Sequence, residues 1–160
     1  MKTQPKPYLP RLNLLKPVPC GALSNLYRPP KHQLKLSLLP ANFAICKFAS
    51  GTSFPVDYLT SSFFSITKTD SELSVVCAES AVPANVIAQR GRRMLRVEGP
   101  LDFSLTGILA SLATPLAEAK ISIFVLSTYD TDYLLIEANN IDRAISALEQ
   151  AGHTISRRQD

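Results

Sequence analysis

From residue 34 onward the apolar positions follow a readable rhythm. Leu34, Leu36 and Leu38 alternate with polar neighbours, and the run Phe43-Ala-Ile-Cys-Lys-Phe48 follows a turn at Pro40-Ala-Asn42, so a period of two predicts strands. Phe54-Pro-Val-Asp-Tyr-Leu59 predicts a short helix with Pro55 in its first turn. Residues 63–68 and 73–77 are rich in β-formers, flank the polar turn at 69–72 and predict a hairpin. Residues 82–93, with Pro83 and Gly91, read as a connection; residues 94–98 read as a strand stopped by Gly99-Pro100.

The rhythm then lengthens. Leu105, Ile108, Leu109, Leu112 and Leu116 recur at helical spacing, with Asp102 or Ser104 as N-cap and Pro115 expected to kink or end the helix. Residues 121–128 and 131–137 are apolar, β-branched strands joined at Tyr129-Asp130. Asn140 then reads as the cap of a second helix whose inward face is Ile141, Ala144, Ile145, Leu148 and Ala151; Gly152 stops it and residues 153–156 form a last strand. The order from Met94 is therefore β-α-β-β-α-β, the split βαβ plan of ferredoxin-like folds. Residues 34–90 read as a reduced copy of that plan. The expected fold class is α+β: two ferredoxin-like units side by side, residues 33–90 and 91–157, sharing a core.

Charge separates the residues before Asp57 from the rest. The 160-residue chain has a net charge of +4, yet eight basic residues precede Asp57, the first acidic one. The remainder carries 17 − 8 = 9 basic against 13 acidic residues, a mildly acidic body. The pI of about 9.1 therefore describes neither part, and no nucleic-acid partner is expected from it. Residues 1–32 hold seven of the 12 prolines and read as a disordered basic tail, native or added by an upstream start codon, with an organelle transit peptide as the other reading. No apolar run is long enough for a membrane span or a secretory signal, so no membrane partner is expected. Cys20, Cys46 and Cys77 are widely spaced and read as reduced thiols of a cytoplasmic protein. With only His32 and His153, no structural metal or other cofactor is expected.

Candidate chemistry narrows the functional classes. There is no Gly-rich phosphate cradle, GxSxG elbow, HExxH or paired-cysteine motif, and no histidine stands at a usable spacing from a thiol, so no enzyme is expected. The segments Gly99-Pro-Leu-Asp-Phe-Ser-Leu-Thr-Gly-Ile-Leu-Ala110 and Ile121-Ser-Ile-Phe-Val-Leu-Ser-Thr-Tyr-Asp-Thr-Asp-Tyr133 carry a resemblance. With Phe63-Phe-Ser-Ile-Thr67 and Glu72-Leu-Ser-Val-Val-Cys77, they resemble the small tandem ACT-domain proteins of the CASTOR-like type, related to the regulatory domains of aspartate kinases. The resemblance covers about residues 36–156 and implies a non-catalytic, amino-acid-binding regulatory or sensor module with two ACT units. Arg92 stands where relatives commonly carry Trp, and Lys120 where Gly usually ends the first helix.

The residues support a ligand site on their own chemistry. A loop of Gly99, Leu101, Asp102, Phe103 and Ser104 leads into a helix whose first N–H groups lack partners and favour a carboxylate, and Gly99 would admit a close backbone approach. The turn of Thr128, Tyr129, Asp130, Thr131 and Asp132 should return to that loop, where Asp130 and Asp132 can accept hydrogen bonds from an ammonium. The resemblance further implies that Ser74, Val75 and Val76 edge the site of another unit through backbone groups. Each residue also has a structural reading: Asp102 as a cap, Asp130 as a turn former, Asp132 as a strand residue needing a partner, Phe103 and Tyr129 as packing. The expected partners are a small amino acid and either a second copy of the chain or a regulatory protein. The alternative is an oligomerisation or interaction module with a vestigial pocket; a weaker third reading is a small-metabolite enzyme with Asp102 or Asp132 as base.

Overall fold

The computed structural model describes residues 32–53 and 61–157. The helix expected at 54–59 and the leader up to residue 31 lie outside the described residues. Strands β1 (Lys35–Leu38), β2 (Phe43–Ala49), β3 (Phe64–Lys68), β4 (Glu72–Ala78), β5 (Ala88–Val97), β6 (Ile123–Ser127), β7 (Asp132–Glu137) and β8 (Thr154–Arg157) join in one sheet, with helices α1 (Ile108–Glu118) and α2 (Ile141–Gln150). The class is α+β and ferredoxin-like.

The long strand β5 organises the sheet. β1 and β2 lie end to end along it, both antiparallel: Leu36 faces Val97, Leu38 faces Leu95, then Phe43 faces Arg92 and Cys46 faces Ala88. β7 also pairs with β5, from Arg92 to Arg96, and β6 continues outward from β7. β8 extends β1 in parallel, whereas β4 and then β3 extend β2. β1, expected to open the first unit, is thus inserted between β5 and β8 of the second. The reason is burial: Leu36 and Leu38 join the core made by Leu95, Val97, Leu134 and Ile136 with Leu112, Leu116, Ile145 and Leu148 of the helices.

Residues 88–93, expected in a connection, belong to β5. Gly91 adopts φ 67°, and the register with β2 shifts between Phe43 and Ile45, so the strand passes through a bulge. The Gly91 N–H finds the Glu79 carboxylate at 2.8 Å instead of a ladder carbonyl. A second cluster of Phe43, Val76, Met94 and Leu135 joins the two halves, with Phe63 packed on both Phe43 and Tyr133 at ring separations of 5.9 and 4.9 Å. Arg92 pairs with Glu137 at 3.5 Å. A third cluster holds Ala44, Leu73, Val75 and the free thiols Cys46 and Cys77. Burial pushes both thiols up, Cys77 to about 12.

Both helices end alike. In α1 the Lys120 N–H bonds the Ala117 carbonyl and the Ile121 N–H bonds that of Leu116; in α2, Gly152 and His153 bond Glu149 and Leu148. This is the Schellman arrangement, and its left-handed position is held by Lys120 at φ 57° and by Gly152 at φ 99°. Pro115 does not end α1, which runs on to Glu118. Its missing N–H deprives the Ser111 carbonyl of its usual donor. Buried His153 takes that role: Nε2–H donates to Ser111 O at 3.2 Å while Nδ1 accepts the Leu34 N–H at 3.3 Å. Ala151, expected on the inward face of α2, is exposed beyond the helix end.

Candidate functional site

The loop after β5 and the hairpin turn between β6 and β7 meet at one end of the sheet. Three contacts hold them. The Leu101 N–H donates to the Asp130 carbonyl at 2.8 Å, the Thr131 hydroxyl donates to the Val97 carbonyl, and Gly99 packs against the turn. A Cβ on Gly99 would lie 2.6 Å from the Asp130 carbonyl oxygen, so glycine is required there by the other loop. Gly99 is thus held against the turn, outside the lining of the cavity between the loops and on that of its neighbour. Within the turn, Thr128 N–H and hydroxyl both donate to Thr131 O, at 2.8 and 3.1 Å.

Asp102 does not cap α1. The helix starts at Ile108 after Gly107, which has φ 83° and no side-chain cap, leaving Leu105 outside the helix and exposed. Asp102 instead folds its own turn: its Oδ1 accepts the Ser104 N–H at 2.8 Å and its carbonyl accepts the Leu105 N–H at 3.0 Å. The backbone N–H of Ser104, then its hydroxyl, hold the Asp102 carboxyl below the ordinary range. Asn140 likewise starts α2 without a side-chain cap; its amide joins Glu137 and Arg143.

Between the loops lies a cavity of about 240 Å³, lined by Leu101, Asp102, Phe103, Leu105, Ile108, Ser127, Thr128, Tyr129, Asp130, Thr131 and Asp132. Eight of the proposed ligand residues thus converge. Ser104 sits beside them, bonded to Asp102, and Gly99 lines a neighbouring cavity. Ser74 and Val75 are not brought there. They sit on β4, whose backbone is paired on both edges with β2 and β3, so it has no free edge to offer another unit. Val75 is also fully buried in the third cluster.

The lining has three carboxylates and no cationic side chain. Asp132 has the partner its strand position demands: the Ser127 hydroxyl donates to its Oδ1 at 2.5 Å. Sequence reasoning missed Ser127, although it is the cross-strand neighbour of Asp132 once the hairpin register is set. Phe103 and Tyr129, 76% and 80% exposed, meet edge to face at 5.0 Å on the lining of the cavity. The N–H groups of Ile108, Leu109 and Ala110 precede the first helical bond, Ser111 to Gly107, and Ile108 lines the cavity.

The fold and cavity define a small ferredoxin-like α+β module with a ligand-sized, acidic cleft between two loops. A family model described as ACT domain matches residues 87–150, and one described as an N-terminal domain matches residues 41–85. A crystal structure of protein Atu0741 from Agrobacterium tumefaciens superposes with a TM-score of 0.76 at 33% identity, covering 81% of this chain and 96% of that one. The human "Cytosolic arginine sensor for mTORC1 subunit 1" is 41% identical over 59 residues, which is 36% of this chain but 18% of the sensor. Aspartate kinase from Clostridium acetobutylicum shares the fold, with a TM-score of 0.55 at 11% identity over 70% of this chain and 33% of the kinase. Residues 87–150 carry an ACT domain, and the chain is similar to the CASTOR-like proteins; its likeness to aspartate kinases is one of fold. Among the described residues, no helix is long and apolar enough to cross a membrane.

Proposed function

We propose that this chain is a non-catalytic amino-acid sensor of the cytoplasm, binding its ligand in the acidic cleft and passing the signal to a protein partner or a second copy of the chain. The observation that carries this reading is the convergence of Asp102, Asp130 and Asp132 on one cavity with no cationic side chain in its lining. Such a lining favours an ammonium, and a basic amino acid supplies two positive groups. Charge-assisted hydrogen bonds contribute about 1.5–3 kcal/mol each. The ligand carboxylate is assigned to the N–H groups at the start of α1. The relative named as an arginine sensor makes arginine the first ligand to test.

Thermal-shift measurements across the twenty amino acids test the proposal. Saturable stabilisation by one or a few is expected, since ligand at 100 times its dissociation constant adds about 2.7 kcal/mol. Asp132→Asn should abolish the shift and leave the unliganded melting temperature nearly unchanged. A flat response to all twenty at millimolar concentration refutes it.

The exposed Phe103, Tyr129, Leu105 and Leu109 support a second reading, in which this end of the molecule is an interaction surface with a vestigial pocket. Concentration-dependent self-association that is indifferent to every amino acid, and is lost in Phe103→Ser, would favour it.

A further inference from the structure

Arg96 lies on the sheet face turned away from the helices, in one cross-strand row with Ser37 on β1 and Tyr133 on β7. Its Nε is buried with no hydrogen-bond partner, and so is the Oγ of Ser37, which is wholly buried. Two neighbouring arginines also leave Nε unmatched, but their outer nitrogens are engaged. Arg92 Nη2 meets Glu137 at 3.5 Å, and Arg93 Nη2 donates to the Leu39 carbonyl at 2.9 Å. Among the described residues nothing comparable reaches the Arg96 guanidinium. The direct neighbours of Arg96 across the ladders are Ser37 and Tyr133, neither of them acidic.

Arg96 lines a cavity of about 480 Å³ with Gly99, Pro100, Thr128, Asp130, Thr131 and Tyr133, and also a smaller, more apolar one beside Phe43 and Phe63. The larger cavity is a different space from the acidic cleft. The two share Thr128, Asp130 and Thr131, but Leu101, Asp102 and Phe103 line only the cleft. Its volume lies within the range of small-metabolite sites. An arginine held in a packed row, unpartnered and lining such a space, can offer its planar fork to two oxygens of one anion.

We propose that this cavity is a second binding site, which takes the carboxylate or phosphate group of a small metabolite on Arg96. The Tyr133 hydroxyl offers a neutral donor beside it, whereas the Thr128 and Thr131 hydroxyls already donate to the Thr131 and Val97 carbonyls. Asp130, on the rim, opposes an anion through its charge. The site stands whether or not the acidic cleft binds an amino acid.

The test follows the side-chain Nε–H signal of Arg96 by ¹⁵N-edited NMR on the full chain, assigned by its disappearance in Arg96→Lys. Inorganic phosphate and succinate are titrated separately, with sodium chloride at matched ionic strength as the control. A saturable shift with phosphate or with succinate is the expected result, and which of them acts identifies the source of the anion. Calorimetry should then show at least about tenfold weaker binding in Arg96→Lys, because an ammonium cannot reproduce the planar fork. Asp130→Asn should tighten the same anion, whereas it should weaken an ammonium ligand of the acidic cleft. An Arg96 signal that neither anion moves at millimolar concentration overturns the proposal. So does a shift that chloride reproduces, or an affinity unchanged in a folded Arg96→Lys.

Discussion

Adding one methyl group at Gly99 tests how the acidic cleft is assembled. The new Cβ would stand 2.6 Å from the Asp130 carbonyl oxygen, 3.3 Å from the Leu101 nitrogen and 3.4 Å from the Thr131 Cβ. The first distance is far inside contact, and the atom there is a backbone oxygen, so the loop and the turn must separate by roughly half an ångström or more. The atom displaced is the acceptor of the Leu101 N–H bond, now 2.8 Å long. Overpacking of this kind costs about 1–3 kcal/mol, and weakening that bond adds about 1. For a chain of this length, Gly99→Ala should lower the melting temperature by about 5–10 °C. Far-UV circular dichroism measures it, with Gly51→Ala as control because nothing lies within 4 Å of a Cβ there. Any amino acid that stabilises the parent chain should bind the variant more weakly, since the two halves of its site have moved apart. A melting temperature within about a degree of the parent refutes the contact, because about 2 kcal/mol could not be hidden in so small a shift.

Other outcomes follow from the core and the helix ends. Lys120→Gly should stabilise by about 0.5–1 kcal/mol, the left-handed strain relieved less the entropy glycine returns to the unfolded chain, and chemical denaturation should show a higher midpoint. Gly152→Ala, at φ 99°, should move the midpoint the other way. His153→Leu strands the Ser111 carbonyl and the Leu34 N–H and should cost about 2–4 kcal/mol; adding Pro115→Ala returns a helical donor to Ser111, so a double-mutant cycle should recover about 1 kcal/mol. Cys46 and Cys77 should resist alkylation in the native protein and react fully once it is unfolded. Because Cys77 is held at about 12 against an ordinary 9.0, the unfolded thiol ionises first, so stability is intact below pH 9.0 and declines above it; an unchanged unfolding free energy through that range contradicts the burial.

The second unit was legible because its periods are clean. The i, i+3, i+4 stripes of α1 and α2 and the β-branched hairpin each specify one face. These faces pack through Leu112 and Leu116, through Ile141, Ala144, Ile145 and Leu148, and through Leu134 and Ile136, while Leu109, expected on the α1 stripe, is exposed. The first turn of α1 was not legible. Leu105 continues the stripe in sequence, but Asp102 closes a turn on Ser104 and Leu105 before the helix begins. The start of β5 was hidden by its composition, since Gln89, Arg90, Gly91, Arg92 and Arg93 look like a loop until Glu79 is seen to satisfy the bulge. The insertion of β1 beside β8 is a pairing between residues more than a hundred positions apart, and alternation alone cannot choose a partner strand. The two cleft motifs could be read because each concentrates loop formers and acids at a strand end. Arg96 could not, because its significance is a missing partner, and a partner is a property of the sheet.

The turn at 128–131 is the element through which the two proposed sites would communicate. Its Asp130 carbonyl is fastened to Leu101, its Thr131 hydroxyl to Val97 and its Thr131 carbonyl to Thr128, so the turn cannot tilt without disturbing the end of β5. Thr128, Asp130 and Thr131 line both the acidic cleft and the Arg96 cavity. A ligand drawing Asp130 toward an ammonium in the cleft withdraws a negative charge from the other cavity and favours an anion there. The same withdrawal read in reverse means that an anion on Arg96 must strengthen the ammonium ligand by the same factor. Coupling of this sign needs no large motion, because one carboxylate on a shared wall carries it. A ligand with one charged end in each cavity would instead be held across the turn, and its binding would fall, whichever way Asp130 acts, when either Asp132 or Arg96 is neutralised. Titrating the amino acid at fixed succinate separates the cases: two coupled sites give affinities that rise together, and one bridging ligand gives competition.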